Sequence, residues 1–175
     1  MLIQRYRRGF SLIELMVTVG IAAVLAALAA PSFKTIMANA QIRTAAQALH
    51  DGLQLARVEA IRRNESVIFT KGTQSAWTVS IESGAVTVQT RPHTEGSEVA
   101  TVAVTPVAAT KVTFDGLGRV KVNTDATSSV TRLDIGVPTT VIPASAASER
   151  RVTITSGGAV RLCDPSVTAG AGMGC

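Results

Sequence analysis

Hydrophobic residues follow one period at the start of the chain and another after it. From Phe10 to Ala30 the sequence is an almost unbroken apolar run of 21 residues whose only charge is Glu14. Beyond Pro31 apolar residues recur at a 3–4 spacing: Phe33, Ile36, Met37, Ala40, Ala45, Ala48, Leu49, Gly52, Leu53, Ala56 and Ala60. Lys34, Arg43, Gln47, Asp51, Gln54 and Arg57 fall between them. That spacing predicts an amphipathic helix, so one long helix is expected to reach about Arg63. Glu59 stands one turn before Arg62 and Arg63, where ion pairs would support the last turn. Pro31 lacks a backbone donor, so a kink or local unwinding is expected there.

After Asn64 the period changes to two. "SVIFT", "AWTVSIE", "AVTVQTR", "EVATVAV", "KVTF", "RVKVN", "TRLDIGV", "RRVTITS" and "AVRLC" are short β-branched runs separated by turn residues, and they read as strands. Ser83-Gly84, Asp115-Gly116 and Gly157-Gly158 are the expected tight turns. Val137 to Glu149, punctuated by prolines and small residues, reads as a surface loop. A long helix followed by many antiparallel strands is an α+β architecture.

Composition changes this picture little. The chain has 175 residues, 46% hydrophobic and 17% charged, which disfavours disorder and suits one domain plus an appendage. The formal charge of +5 falls to +2 once Arg5, Arg7 and Arg8 are set aside, so the basic balance is weak support for a nucleic-acid partner. Aromatic residues make up 3%, which disfavours a base-stacking platform.

The apolar run is long enough for a bilayer: at ~1.5 Å per residue it spans about 30 Å. Arg5, Arg7 and Arg8 should keep the N-terminus cytoplasmic, which puts the chain beyond Ala30 on the other side. Glu14 decides between readings of this segment. A secretory signal is supported by the basic start and by Ala27-Leu28-Ala29, a small-residue cleavage pattern, but its apolar region is usually 7–15 residues and has no use for a carboxylate. A plain anchor has the same difficulty, because a central carboxylate costs roughly 2.5–3.5 kcal/mol on insertion scales and calls for a partner.

A third reading accounts for the charge. The basic leader ending in Gly9, followed by "FSLIELM", resembles the type IV prepilin N-terminus. The resemblance implies cleavage between Gly9 and Phe10 by an inner-membrane prepilin peptidase, and N-methylation of Phe10. Glu14 then matches the glutamate five positions into the mature chain, whose partner is the N-terminal amine of a neighbouring subunit. "LHDGLQLARVEAIRRNESVIF", "FDGLGRV" and "RRVTITSGGAVRLC" further resemble the GspH/FimT group of minor pilins and type II secretion minor pseudopilins.

The implied fold is pilin-like, one long N-terminal helix packed on an antiparallel β-sheet domain. Residues 1–9 are the cleaved leader, 10–30 the transmembrane half of the helix, 31–63 its amphipathic half, and 64–175 a periplasmic β domain. Implied partners are the peptidase, other pilins or pseudopilins, and the inner membrane.

The search for other chemistry is brief. In an oxidising periplasm Cys163 and Cys175 are expected to form a disulfide, closing a glycine-rich C-terminal loop. A zinc site needs about four ligands, and the two histidines are distant: His50 on the helix and His93 in a polar turn. No metal site, cofactor or catalytic constellation is expected. Two functions compete. One is a structural subunit of a type IV pilus or type II secretion pseudopilus, at the tip or as initiator. The other is DNA capture, because some FimT-type minor pilins bind DNA through a C-terminal Gly-Arg-x-Arg motif. The matching stretch, Gly158-Ala159-Val160-Arg161, lacks the first arginine. Arg150, Arg151 and Arg161 could still gather and hold phosphates. Gly118-Arg119-Val120-Lys121 is similar in composition but is expected in another hairpin, as a solvated strand face.

Overall fold

The computed structural model describes residues 9–84, 86–168, 170 and 172–175; Arg5, Arg7 and Arg8, on which the expected orientation rests, lie outside them. Two compact units emerge, Met1–Lys34 and Thr35–Cys175, and one helix, α1 (Leu12–Arg63), contributes to both.

Ser11 sits just ahead of α1 and its hydroxyl accepts a hydrogen bond from the Glu14 backbone N–H at 3.2 Å. Serine before the first turn with glutamate three residues later is the capping-box pattern, and it occupies a donor that the helix start would otherwise leave unpaired. The helix continues unbroken through Pro31, so the expected unwinding there does not occur. A proline removes one donor from the ladder, and the hydrogen bonds on either side hold the turn. At the other end, Asn64 takes φ 53°, the left-handed stop of a helix C-terminus. Glu59 holds Arg62 and Arg63, each at 2.7 Å.

The second half of α1 is buried along one face, through Ala38, Ile42, Ala45, Ala46, Leu49, Leu53, Ala56 and Ala60. The expected face is corrected at its start: Phe33 and Ile36 are 64% and 62% exposed, Met37 and Ala40 are exposed as well, and Ile42 is a fully buried residue the spacing had missed. An apolar period marks a face that avoids water without saying whether the chain's own strands cover it.

Among the described residues nine strands follow: β1 (Val67–Lys71), β2 (Trp77–Ile81), β3 (Thr87–Arg91), β4 (Thr101–Thr105), β5 (Lys111–Phe114), β6 (Val120–Lys121), β7 (Arg132–Gly136), β8 (Arg150–Ile154) and β9 (Val160–Cys163). Each lies within or overlaps one of the alternating runs. Two sheets form instead of a single one, ordered β3-β2-β1-β5-β6 and β4-β7-β8-β9. All named strand pairs are antiparallel. Register places Val67 opposite both Ile81 and Phe114, and Leu133 opposite Val152. The three expected tight turns connect β2 to β3, β5 to β6, and β8 to β9.

One core joins the helix to both sheets: Leu49 and Leu53 pack with Phe69, Trp77, Phe114, Leu133, Ile135 and Val152. Fully burying side chains of this size contributes about 1.5–3 kcal/mol each. Gly52 sets how closely α1 approaches the first sheet, since a Cβ there would stand 2.7 Å from the Trp77 ring. The 137–149 segment is more tied down than a surface loop. Ile142 is buried, Ala144–Ala146 form a 3-10 turn, and Asn39 on α1 both donates to the Ala146 carbonyl (3.0 Å) and accepts from Ser148 N–H (2.8 Å).

Candidate functional site

Gly9 and Phe10 precede the helix in non-helical backbone, exposed, with Phe10 at 84% and nothing within 4 Å of a Cβ built on Gly9. Every residue from Ser11 to Ala30 is exposed, so none of the side chains of this segment is buried within its own unit. It is long and apolar enough to cross a membrane, with a mean hydropathy of 2.4 over its most apolar stretch. Glu14 lies in the first turn of α1, exposed and without a cationic partner among the described residues. The position suits a carboxylate, because helix starts carry partial positive charge. Ser11 belongs to this site although the sequence reading passed over it; the Ser-x-x-Glu spacing was the available signal.

The three candidate DNA-binding arginines do not form one free cluster. Arg150 is bonded to the Asp164 carboxylate and to the Glu149 carbonyl. Arg151 reaches Asp134 at 2.5 Å, and Asp134 also pairs with Arg132 at 2.9 Å. Arg161 is exposed on β9, with no ion pair among the described residues. Arg119 pairs with Asp115 and Lys121 with Glu82.

The two glycine stretches, expected in separate hairpins, meet at their glycines. Gly158, at φ +81°, lies so close to Gly118 that a Cβ would stand 1.8 Å from its carbonyl oxygen. Arg57 of α1 donates to that same carbonyl at 3.1 Å, and Val120 N–H donates to the Ser156 carbonyl at 3.0 Å. The first glycine of the motif-like stretch is thus a packing residue.

Cys163 and Cys175 form the disulfide, with Cα atoms 5.2 Å apart. Asp164 N–H bonds the Met173 carbonyl at 2.7 Å and closes the same loop. Hydrogen bonds from Ser166, with the nearby Arg150, hold the Asp164 carboxyl below the usual carboxylate range. His50 is half-buried, with Nδ1 3.3 Å from an Asp51 oxygen; His93 is half-buried in its turn, its carbonyl accepting from Ser97.

Comparison with known proteins places this geometry. A family model described as type II transport protein GspH matches residues 45–167, well over half of the chain. The chain belongs to the GspH family. A second model, the prokaryotic N-terminal methylation motif, matches residues 4–30 of this GspH-family chain, the segment holding Gly9, Phe10 and Glu14. Among solved structures it is similar to the type IV minor pilin FimU of Pseudomonas aeruginosa strain PAO1. In one crystal form the TM-score is 0.50 and identity 16%, covering 72% of this chain and 90% of that one. A second crystal form of FimU gives 0.49 and 19%, covering 71% and 94%. The first likeness establishes a pilin-like fold for the GspH-family chain. No curated protein matches it.

Proposed function

We propose that this chain is a minor pilin or pseudopilin that prepilin peptidase cleaves between Gly9 and Phe10. Phe10 is then N-methylated, and the subunit enters a type IV pilus or type II secretion pseudopilus at the tip or as initiator. It acts as a structural subunit and not as a catalyst. Before assembly, residues 10–30 span the inner membrane with the N-terminus cytoplasmic and the β domain periplasmic, a compartment that suits the Cys163–Cys175 bond.

Glu14, without a cationic partner among the described residues, carries this reading. A carboxylate at the head of an exposed apolar helix is costly in lipid unless a cation meets it. Cleavage after Gly9 supplies such a cation: every processed neighbour begins with a positive amine, and its own glutamate is the fifth residue of the mature chain. The pairing neutralises both charges and sets how far one subunit is staggered from the next.

Mass spectrometry of the purified membrane-extracted protein tests the processing step. The expected N-terminal peptide begins at Phe10 and carries one added methyl group. A mature chain beginning elsewhere would overturn the reading.

A further inference from the structure

Within Thr35–Cys175 most cations are answered internally by carboxylates or backbone carbonyls. Among the described residues of this unit, Arg43 and Arg161 have neither. Arg43 is an exposed residue of α1 that borders two concave surfaces. The first, about 520 Å³, is lined by Arg43, Thr44, Gln47, Ala48, Asp51 and Arg91. The second, about 290 Å³, shares Arg43 and Gln47 and adds Ala46, Arg150, Leu162 and Met173.

Arg91 is only partly satisfied. It reaches the Glu95 carboxylate at 3.4 Å and the Glu95 carbonyl at 2.5 Å, while its Nη1 is buried with no partner. A buried donor left unpaired is costly. Asp51, the acidic residue at this surface, is already engaged by Gln47 Nε2 at 2.7 Å and His50 Nδ1 at 3.3 Å.

We propose that this double cleft is a docking site for an acidic segment of a neighbouring subunit. A carboxylate of that segment meets Arg43 and the Arg91 side of the cleft, and an apolar side chain nearby in its sequence packs on Leu162 and Met173. Guanidinium groups favour planar carboxylates through paired hydrogen bonds. A nucleic-acid backbone fits less well: it needs a run of free cations, whereas Arg150 is already bonded to Asp164 and Arg91 to Glu95. The inference rests on the subunit reading above but concerns a different surface from the Glu14 helix.

The test places a photo-crosslinking amino acid at Gln47 of the full-length protein in its own cells and sequences the adduct. The expected product joins Gln47 to an acidic segment of another pilin-like subunit. Arg43→Glu should reduce its yield at least tenfold, and Arg161→Glu should leave it unchanged. Replacing the crosslinked partner's acidic residue with lysine should restore the adduct in the Arg43→Glu protein. Arg43→Gln, which removes charge without reversing it, should give an intermediate yield. An adduct that persists in Arg43→Glu, or maps to nucleic acid, lipid or a segment without acidic residues, overturns the proposal. Failure to enter filaments despite a correct, Arg43-dependent adduct would remove the filament reading and leave the docking site standing.

Discussion

Gly158 is packed against the Gly118 carbonyl so closely that a single methyl group there would stand 1.8 Å from the oxygen, and its φ of +81° is one that alanine adopts only under strain. The contact ties the β8–β9 turn to the β5–β6 turn, and Arg57 fastens the latter to α1. Gly158→Ala should therefore cost more than about 2 kcal/mol, from backbone strain and displacement of the neighbouring turn. Denaturant unfolding of the full-length protein in detergent checks this, with a lower midpoint and an unchanged slope expected.

Glu14 and Ser11 separate assembly from helix capping. Glu14→Ala should leave the protein made, inserted and cleaved, while its share in the sheared filament fraction falls at least tenfold. Ser11→Ala removes the cap and costs about 1 kcal/mol of helix stability, yet should enter filaments near the native level. Immunoblots of membrane and filament fractions report both. Equal loss in the two variants would assign the effect to the capped turn instead of the charge.

The disulfide predicts a local loss. Cys163→Ser with Cys175→Ser should lower stability by about 3 kcal/mol, with the C-terminal segment opening first, since the Asp164–Met173 hydrogen bond is its other clasp. Limited proteolysis should cut between residues 164 and 175 in the double variant and spare the native chain. A native sample should also migrate differently with and without reductant.

Acid should weaken the end of α1 in a defined window. Hydrogen bonds from Arg62 and Arg63 hold the Glu59 carboxyl at about 2, against an ordinary 4.5. A carboxylate with a depressed native value stabilises the fold fully above its unfolded value and loses that contribution as pH falls toward the native one. Glu59→Gln should thus be less stable than the native chain at pH 7. The gap should close between about pH 4.5 and about pH 2, measured by unfolding of both proteins in parallel.

DNA binding should be weak in the native chain and recoverable. Arg161 is exposed with no ion pair among the described residues, while Arg150 and Arg151 are held by Asp164 and Asp134. Ala159 is exposed two positions before Arg161, so Ala159→Arg puts two free cations on the same side of the strand. A gel-shift titration of the full-length protein should show little binding at physiological salt. Ala159→Arg should bind more tightly, with a salt dependence steeper by about one phosphate contact.

Much of this architecture could be read from residue order because each element carries its own signal. The nine strands announce themselves by alternation, and Ser83-Gly84, Asp115-Gly116 and Gly157-Gly158 mark their hairpins. The division into two sheets was not legible: β4 and β5 look equally strand-like, and nothing local says that β4 leaves to pair with β7 while β5 returns to β1. The exposure of Phe33 and Ile36 was hidden for a related reason, since an apolar period does not name what covers it. At the N-terminus, Gly9, Phe10 and Glu14 fall within six consecutive residues and could be found together. The neutralisation of Arg150 and Arg151 depends on Asp164 and Asp134, brought in by a loop and a neighbouring strand that spacing along the chain does not reveal.

The order of the second sheet has a bearing on biogenesis. Strand β4 is synthesised well before β7, its one neighbour among the described residues. As the chain is being made, the backbone of Thr101–Thr105 therefore waits with both sides bare while β1, β2, β3, β5 and β6 can already assemble. An unpaired strand of threonine, valine and alanine is a template for pairing with other chains. A polypeptide stopped before Arg132 would therefore contain every strand of the first sheet and still be prone to aggregate, through the one strand whose companion never arrives.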